Sequence, residues 1–107
     1  MTTTVYKDIR NSWAAKTNHD LPNDRVLIIT TMKRHSGQLV TNTHVGKVEG
    51  CIFTYMPFSD FNKQLAVSAV RCTKSAVELQ HNAALANFET IIAEATAFYN
   101  KNEGLST

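Results

Sequence analysis

Two short segments of the chain place basic side chains beside several neutral hydrogen-bond donors. The first is KRHS at residues 33–36, which is followed by Gly37 and by hydroxyl and amide side chains as far as His44. The second is RCTKS at residues 71–75. An arginine can bind phosphate through two parallel N–H donors, and neighbouring hydroxyls add further donors. Both segments therefore indicate anion binding, although a solvated hairpin tip and a helix start would explain the same residues.

The patterns around these segments predict where they lie. Residues 25–32, RVLIITTM, are β-branched and apolar on both faces, which predicts an interior strand. Residues 37–46, GQLVTNTHVG, alternate between the two faces of a second strand, and Gly37 can adopt the positive φ of a turn. KRHS therefore forms a hairpin tip. RCTKS lies at a helix start, where free backbone N–H groups and the helix dipole favour a phosphate.

Upstream of the hairpin, the sequence predicts a short helix and a loop. Val5, Ile9 and Trp13 recur at four-residue spacing, as on one face of an amphipathic helix. Residues 18–24, NHDLPND, combine asparagine, aspartate and proline, which is typical of a loop. We therefore expect a short N-terminal helix that ends before the first strand.

Downstream of the hairpin, the pattern predicts one further strand and an ambiguous segment. GKVEG, residues 46–50, predicts a second turn, and residues 50–58 predict a third strand that ends near its proline. Residues 59–71 fit either a short helix or a strand. The expected architecture is α+β in a single domain of 107 residues, with a three- to four-stranded antiparallel sheet followed by C-terminal helices.

The C-terminal segment predicts one long amphipathic helix from Thr73 to Gly104. Its apolar side chains recur at seven-residue spacing, in rows such as Val77, Ala84, Ile91 and Phe98. Such a helix would be roughly 40 Å long, whereas eight-residue strands reach only about 27 Å. The uncovered part of the apolar stripe predicts a homo-oligomer. His81 lies on this stripe, where it fits a core or interface histidine as well as a ligand-binding one.

The chain contains none of the common catalytic or metal-binding motifs. Nucleophile-elbow, phosphate-loop, dinucleotide and zinc-protease signatures are missing, and its four histidines are scattered without zinc spacing. The acidic residues before position 61 are isolated, which argues against a paired-carboxylate hydrolase. A catalytic pair of Cys51 or Cys72 with His44 or His81 is an alternative that the sequence leaves open. We expect no enzyme, no metal site and no cofactor.

Composition limits the classes of partner. The net charge of +2 is too small to indicate nucleic-acid binding by itself. No apolar segment approaches the roughly 18 residues of a membrane span, and the polar N-terminus lacks a signal core. We therefore expect a cytoplasmic protein with no membrane partner, in which Cys51 and Cys72 are free thiols.

Three motifs resemble a family of small phage proteins. The motifs are LIITTMKRHSGQLVTNTHVG, FSDF and RCTKSAVELQH, which together span about residues 25–85. The family comprises the anti-Thoeris sponges, which capture cyclic ADP-ribose-type signals, and some members hold cyclic di- or trinucleotides. The resemblance implies an antiparallel sheet followed by C-terminal helices, assembly into dimers or hexamers, and ligand capture without cleavage.

The resemblance also implies a set of ligand-binding residues. Carried over to the quoted motifs, these residues are Arg34, Ser36, Thr41, Arg71, Thr73 and Lys74. An aromatic side chain that stacks on adenine is expected as well, with Trp13, Phe53 and Tyr55 as candidates. The protein would act in the cytoplasm of an infected host cell.

Two other functions fit the same sequence. The chain could be an oligomeric interaction module, or an inhibitor that masks a host protein. It could also bind nucleic acid through Lys33, Arg34 and Arg71, although aromatic and basic residues do not interleave as on an RNA-binding sheet. The salt dependence of binding separates nucleic-acid binding from capture of a small molecule.

Overall fold

A computed structural model of the chain describes residues 2–22, 24–49, 52–55 and 61–104. Within these residues, six strands precede two helices, and the predicted α+β class is confirmed. The strands are β1 (Thr2–Lys7), β2 (Trp13–Leu21), β3 (Arg25–Lys33), β4 (Leu39–Glu49), β5 (Ile52–Tyr55) and β6 (Asn62–Ser68). The helices are α1 (Lys74–Leu85) and α2 (Phe88–Gly104). No helix in these described residues is long and apolar enough to span a membrane.

The predicted N-terminal helix is wrong, because residues 2–7 form β1 and pair antiparallel with β2. The segment TTTV is rich in β-branched residues, which favour an extended strand. Val5 and Trp13 lie on the same face of this hairpin and pack on one core cluster, so their helical spacing was coincidental. Ile9, the third member of the pattern, is fully exposed in the turn between the strands.

The sheet is an antiparallel meander, and the sequence predicted its central strands correctly. The predicted strands at 25–32 and 37–46 are confirmed as β3 and β4, and all of β3 pairs with residues 39–47 of β4. β2 runs to Leu21, four residues into the predicted loop at 18–24, and β4 continues to Glu49 through most of the predicted turn. The predicted count of three to four strands is therefore too low.

The far edge of β4 pairs with two separate strands. Residues 46–49 of β4 pair with β5, and residues 39–44 pair with β6, both antiparallel. Of the predicted strand at 50–58, residues 52–55 are β5, while residues 50, 51 and 56–58 lie outside the described residues. For the ambiguous segment at 59–71, the strand alternative holds, since residues 62–68 are β6.

The predicted C-terminal helices are confirmed, but the long helix expected from Thr73 to Gly104 is wrong, because the structure divides it at Ala86 and Asn87. Asn87 N donates to Ala84 O at 3.1 Å and so closes a tighter turn. The division allows α1 to pack over β2, β3 and β4. It also places the apolar residues of α2, which include Ile91 and Tyr99, in the core.

Because the long helix is divided, its length no longer argues for an oligomer. Ile91 and Tyr99 are buried, and Phe88, Ile92 and Phe98 are partly buried in the same cluster. The apolar stripe is therefore largely covered within one chain. A homo-oligomer remains an expectation of the family resemblance.

Both helices pack on the same side of the sheet. Leu39, Thr41, Thr43 and Val45 of β4 are all buried, as the predicted alternation of this strand indicates. One core cluster, around Leu27, Ile29 and Val45, joins the sheet to α2, and a second cluster, around Ala15, Leu39 and Val77, joins it to α1. The alternate side chains of the strands point to the other side, which no described helix covers.

His81 joins α1 to the sheet through threonine hydroxyls. Its Nε2 lies 2.7 Å from Thr17 Oγ1, and its Nδ1 lies 2.8 Å from Thr31 Oγ1. Thr31 Oγ1 is 2.7 Å from Thr41 Oγ1, which accepts a hydrogen bond from Gln80 Nε2 at 3.1 Å. His81 is 1% exposed. It is therefore a core histidine, the first of the two alternatives raised by its position on the stripe.

Each threonine hydroxyl in this chain can donate one hydrogen bond and accept two. A neutral imidazole, which has one donor and one acceptor nitrogen, therefore satisfies both of its threonine contacts. Burial lowers the pKa of His81 and so favours this neutral form.

We expect the stability of the protein to fall as the pH decreases below neutrality. Burial lowers the pKa of His81, and burial together with the charge of Lys16 lowers the pKa of His44, both from the usual 6.5. The unfolded chain therefore binds more protons below about pH 6.5 than the folded chain does. The free energy of unfolding should be constant from about pH 8 to 7 and then fall by at most about 1.4 kcal/mol per pH unit for each histidine.

Urea unfolding at about pH 8, 7 and 5.5 measures this dependence. The variant His44→Gln should keep part of the decrease, since His81 still titrates. Equal stability at all three pH values would contradict the neutral, hydrogen-bonded state of His81.

Candidate anion-binding site

Three connections lie at the same end of the sheet, because successive strands are antiparallel. They are the β1–β2 turn, the β3–β4 hairpin tip and the segment that follows β6. We call this the basic end and define it as residues 7–13, 33–38 and 69–74. It contains six of the eleven lysines and arginines, namely Lys7, Arg10, Lys33, Arg34, Arg71 and Lys74. Asp8 is its one carboxylate.

The segment after β6 crosses the end of the sheet. Ser68 pairs with Leu39 at the edge of the sheet, and Cys72 Sγ donates to Trp13 O of β2 at 3.3 Å. The path from β6 across β4 and β3 to β2 covers three strand spacings, or about 14 Å. Four extended residues just span this distance. Arg71 therefore lies near the ends of β3 and β4, so the two basic segments of the sequence meet at one end of the fold.

Arg10 contacts the hairpin tip directly. Its Nη2 donates to Lys33 O at 3.0 Å, and its Nη1 donates to His35 Nδ1 at 3.2 Å. A guanidinium cannot accept a hydrogen bond, so Nδ1 is the acceptor and His35 carries its proton on Nε2. Sequence reasoning missed Arg10, because its contact depends on the β1–β2 hairpin that was predicted as a helix.

The β1–β2 turn is fixed by Asp8. Its Oδ1 accepts from Ser12 N at 3.0 Å and from Arg10 N at 2.9 Å. The hydrogen bond from Ser12 is the largest cause that lowers the pKa of Asp8, and the bond from Arg10 adds to it. Asn11 closes the turn with a φ of 61° and donates from its N to Asp8 O at 2.9 Å. The carboxylate therefore orders the turn that carries Arg10.

The hairpin tip is a closed turn with exposed side chains. Arg34 N donates to Gln38 O and Gly37 N donates to Arg34 O, each at 2.9 Å. Gly37 has a φ of 87°, where a side chain would strain the backbone. The turn leaves the side chains of Lys33, Arg34 and Ser36 exposed to solvent. These side chains can therefore contact a ligand without loss of packing.

An open cavity of about 410 Å³ lies between the tip and Arg10. Its lining residues are Arg10, Met32, Lys33, Arg34, His35 and Ser36. Three cations and a hydroxyl thus surround one space, which is the kind of surface that holds a phosphate. The structure brings Arg34 and Ser36 together here, as the sequence indicated, and adds Arg10.

The other predicted site residues lie in different surroundings. Thr73 caps α1, and its Oγ1 accepts from Ala76 N at 3.1 Å. The ammonium groups of Lys7 and Lys74 lie 5.0 and 5.4 Å from the ring centroid of Trp13. Thr41 is fully buried in the His81 network, where a ligand cannot reach its hydroxyl, so we leave it out of the site.

Of the aromatic candidates from the resemblance, Trp13 is the one whose side chain the structure describes. Trp13 packs on the core cluster under α1, and the ammonium groups of two lysines lie near its ring. The side chains of Phe53 and Tyr55 lie outside the described part of the chain. Trp13 does not line the cavity at the tip, as far as the described residues show its lining.

The described residues contain no cluster of three histidine, cysteine, aspartate or glutamate side chains that could hold a metal ion. Cys72, the cysteine that the structure describes, is free. Comparisons with protein-family models, with curated proteins and with solved structures give no match to this chain.

Proposed function

We propose that the protein is a non-catalytic binding protein for a phosphate-containing cyclic nucleotide. The observation that carries this proposal is the convergence of Arg10, Lys33 and Arg34 around one open cavity, with Arg71 at the same end of the sheet. The guanidinium groups offer paired donors to phosphate oxygens. The Asp8 carboxylate is engaged by backbone N–H groups of its own turn, which limits its repulsion of an anion.

The biological role follows from the family resemblance. A sponge of the anti-Thoeris type would capture a cyclic ADP-ribose-type or related signal in the cytoplasm of an infected host cell. It would assemble as a dimer or hexamer and would hold the ligand without cleaving it. The supporting observation is that the side chains lining the tip cavity are mainly hydrogen-bond donors and cations, which suit binding.

Loss of either Arg34 or Arg71 is expected to weaken ligand capture by roughly ten- to a hundredfold, because one charge-assisted hydrogen bond contributes about 1.5–3 kcal/mol. Titration calorimetry of Arg34→Ala and Arg71→Ala with cyclic ADP-ribose and with cyclic dinucleotides measures the change. The far-UV spectrum should be unchanged, since Arg34 and Arg71 are exposed.

Lys101→Ala is the control, because Lys101 belongs to α2, outside the basic end. Arg10 is unsuitable as a control, since it lines the cavity. Unchanged affinity in both arginine variants would mean that the tip is only a solvated turn.

The nucleic-acid alternative is favoured by the same concentration of positive charge at the basic end. DNA binding would weaken steeply with salt, by about one unit of logarithmic slope per phosphate contacted. A small-molecule binder should retain no DNA at moderate salt and should melt at a higher temperature with its nucleotide. Retention of DNA without a nucleotide-dependent shift would favour the alternative.

A further inference from the structure

A second open cavity, of about 570 Å³, adjoins the cavity at the hairpin tip. The two cavities share Arg10, Met32 and His35. The second cavity adds the apolar side chains of Tyr6 and Ile9, together with the oppositely charged Lys7 and Asp8. One continuous surface therefore has a cationic half at the tip and an apolar half along the β1–β2 hairpin.

The apolar half belongs to the side of the sheet that the described helices leave uncovered. Tyr6 pairs with Ala14, and Met32 pairs with Val40, which pairs in turn with Val67. These residues form an apolar row across five strands at the basic end. Ala14 and Val40 are buried and form its floor, while Tyr6 and Met32 are half-buried. The row is therefore a shallow platform whose larger side chains can still contact a ligand.

The neighbouring row of side chains on the same side of the sheet is polar. It consists of Thr4, Lys16, Thr30, Asn42 and Gln64, which pair in this order across the sheet. All five side chains are polar. A polar row thus separates the apolar row at the basic end from the rest of this side of the sheet.

Ile9 adds an independent observation. It lies in the turn between Asp8 and Arg10 and is 103% exposed, so it contributes no packing to the fold. Tight turns usually carry polar residues or glycine. A single exposed isoleucine needs no explanation, but this one lines the cavity that contains Tyr6 and Met32. Its side chain is available for contact with a bound group.

We propose, on the basis of the function proposed above, that the ligand is an aromatic phosphate ester, such as a nucleotide, held in two parts. Its phosphate lies against Arg10 and Arg34, and its ring lies on Tyr6 and Met32, with Ile9 at the rim. A flat ring fits this platform better than an acyl chain does, because the cavity is open and shallow and offers no tunnel. Tyrosine faces and thioether sulfurs are both favourable contacts for aromatic rings.

Titration calorimetry of the full chain with two matched probes tests whether the phosphate and the ring bind to separate halves of the surface. Pyrophosphate carries the phosphates alone, and ADP adds an adenosine group to the same phosphates. Stacking of a base on an aromatic side chain should make ADP bind about five- to a hundredfold more tightly than pyrophosphate. Tyr6→Ser should remove most of this difference and leave pyrophosphate binding within about twofold of the wild type. Tyr6→Phe should restore the preference for ADP.

Thr4→Ala is the matched control, since Thr4 lies on the same strand and the same side of the sheet, one row away. If the wild type binds ADP and pyrophosphate equally, and Arg34→Ala weakens both, the apolar half does not bind the ring. The phosphate site would still stand. An equal loss of ADP and pyrophosphate binding in Tyr6→Ser would also contradict ring binding by the apolar half, because the effect of the substitution would then be structural. Failure of the wild type to bind either probe would overturn this inference together with the phosphate site.

Discussion

Replacing His81 by alanine is expected to lower the free energy of unfolding by about 3–5 kcal/mol. The substitution removes a fully buried ring and leaves a cavity under α1. It also leaves the hydroxyls of Thr17 and Thr31 without the ring nitrogens to which they are bonded. Total stabilities of about 5–15 kcal/mol are usual, so this loss would be a large fraction of the whole. Urea unfolding followed by circular dichroism measures it.

Two further variants keep this prediction testable. Asn82→Ala changes an exposed neighbour on α1 and should shift the free energy of unfolding by less than about 0.5 kcal/mol. If His81→Ala does not fold, Thr31→Val provides a milder test. It conserves shape but removes the hydroxyl that is hydrogen-bonded to His81 Nδ1, which should cost about 1–3 kcal/mol. A loss below about 1 kcal/mol in His81→Ala would contradict the buried network.

Removing Arg10 and Arg34 together is expected to weaken ligand binding by roughly a hundred- to ten-thousandfold, since two charge-assisted hydrogen bonds are lost. Arg10 lies on the β1–β2 turn and Arg34 on the hairpin tip, and both line one cavity. The double variant should keep its fold, because both side chains are exposed. Calorimetry with the nucleotide that binds the wild type most tightly measures the change.

The single variants show whether the two arginines act on one phosphate. Residues that share a ligand group usually give non-additive effects, whereas independent sites add. The range given above assumes that the single losses add, and a measured loss that departs from their sum would show that both arginines contact one phosphate. The exchange Arg10→Lys keeps the charge but not the paired donors, and it should bind more weakly than the wild type. Equal binding by the double variant and the wild type would exclude the cavity as the site.

The centre of the fold could be predicted from the sequence because local patterns determine it. β3 is apolar on both faces and β4 alternates, and Gly37 supplies the positive φ of the turn between them. β1 was missed because the spacing of Val5, Ile9 and Trp13 imitates a helix. The side chains that decide between the two structures are the partners of β1 on β2, which the spacing does not reveal.

The break between α1 and α2 was missed for a similar reason. The apolar repeat continues through Ala86 and Asn87, and neither a glycine nor a proline marks the division. The break serves tertiary packing, since two shorter helices cover the sheet where one straight helix would extend beyond it. Sequence periodicity detects which face of a helix is apolar, but it does not detect a bend that keeps this face on the core.

The sequence predicted those candidate site residues that lie in its two segments of concentrated positive charge. Arg34, Ser36, Arg71 and Lys74 all belong to the basic end, as their local composition indicated. Thr41 was chosen for its hydroxyl, although the alternation of β4 places it on the same face as Leu39, Thr43 and Val45, which is the buried one. Arg10 is joined to His35, 25 residues away, only by the fold.

The central claim is that the basic end binds a phosphate-containing cyclic nucleotide, and native mass spectrometry tests it most directly. The wild type and the Arg10→Ala/Arg34→Ala variant would each be incubated with an equimolar panel of cyclic ADP-ribose and cyclic di- and trinucleotides. We predict that the wild type retains one member of the panel at micromolar concentration and that the double variant retains none. Retention of no member by the wild type, or equal retention by the variant, would contradict the claim.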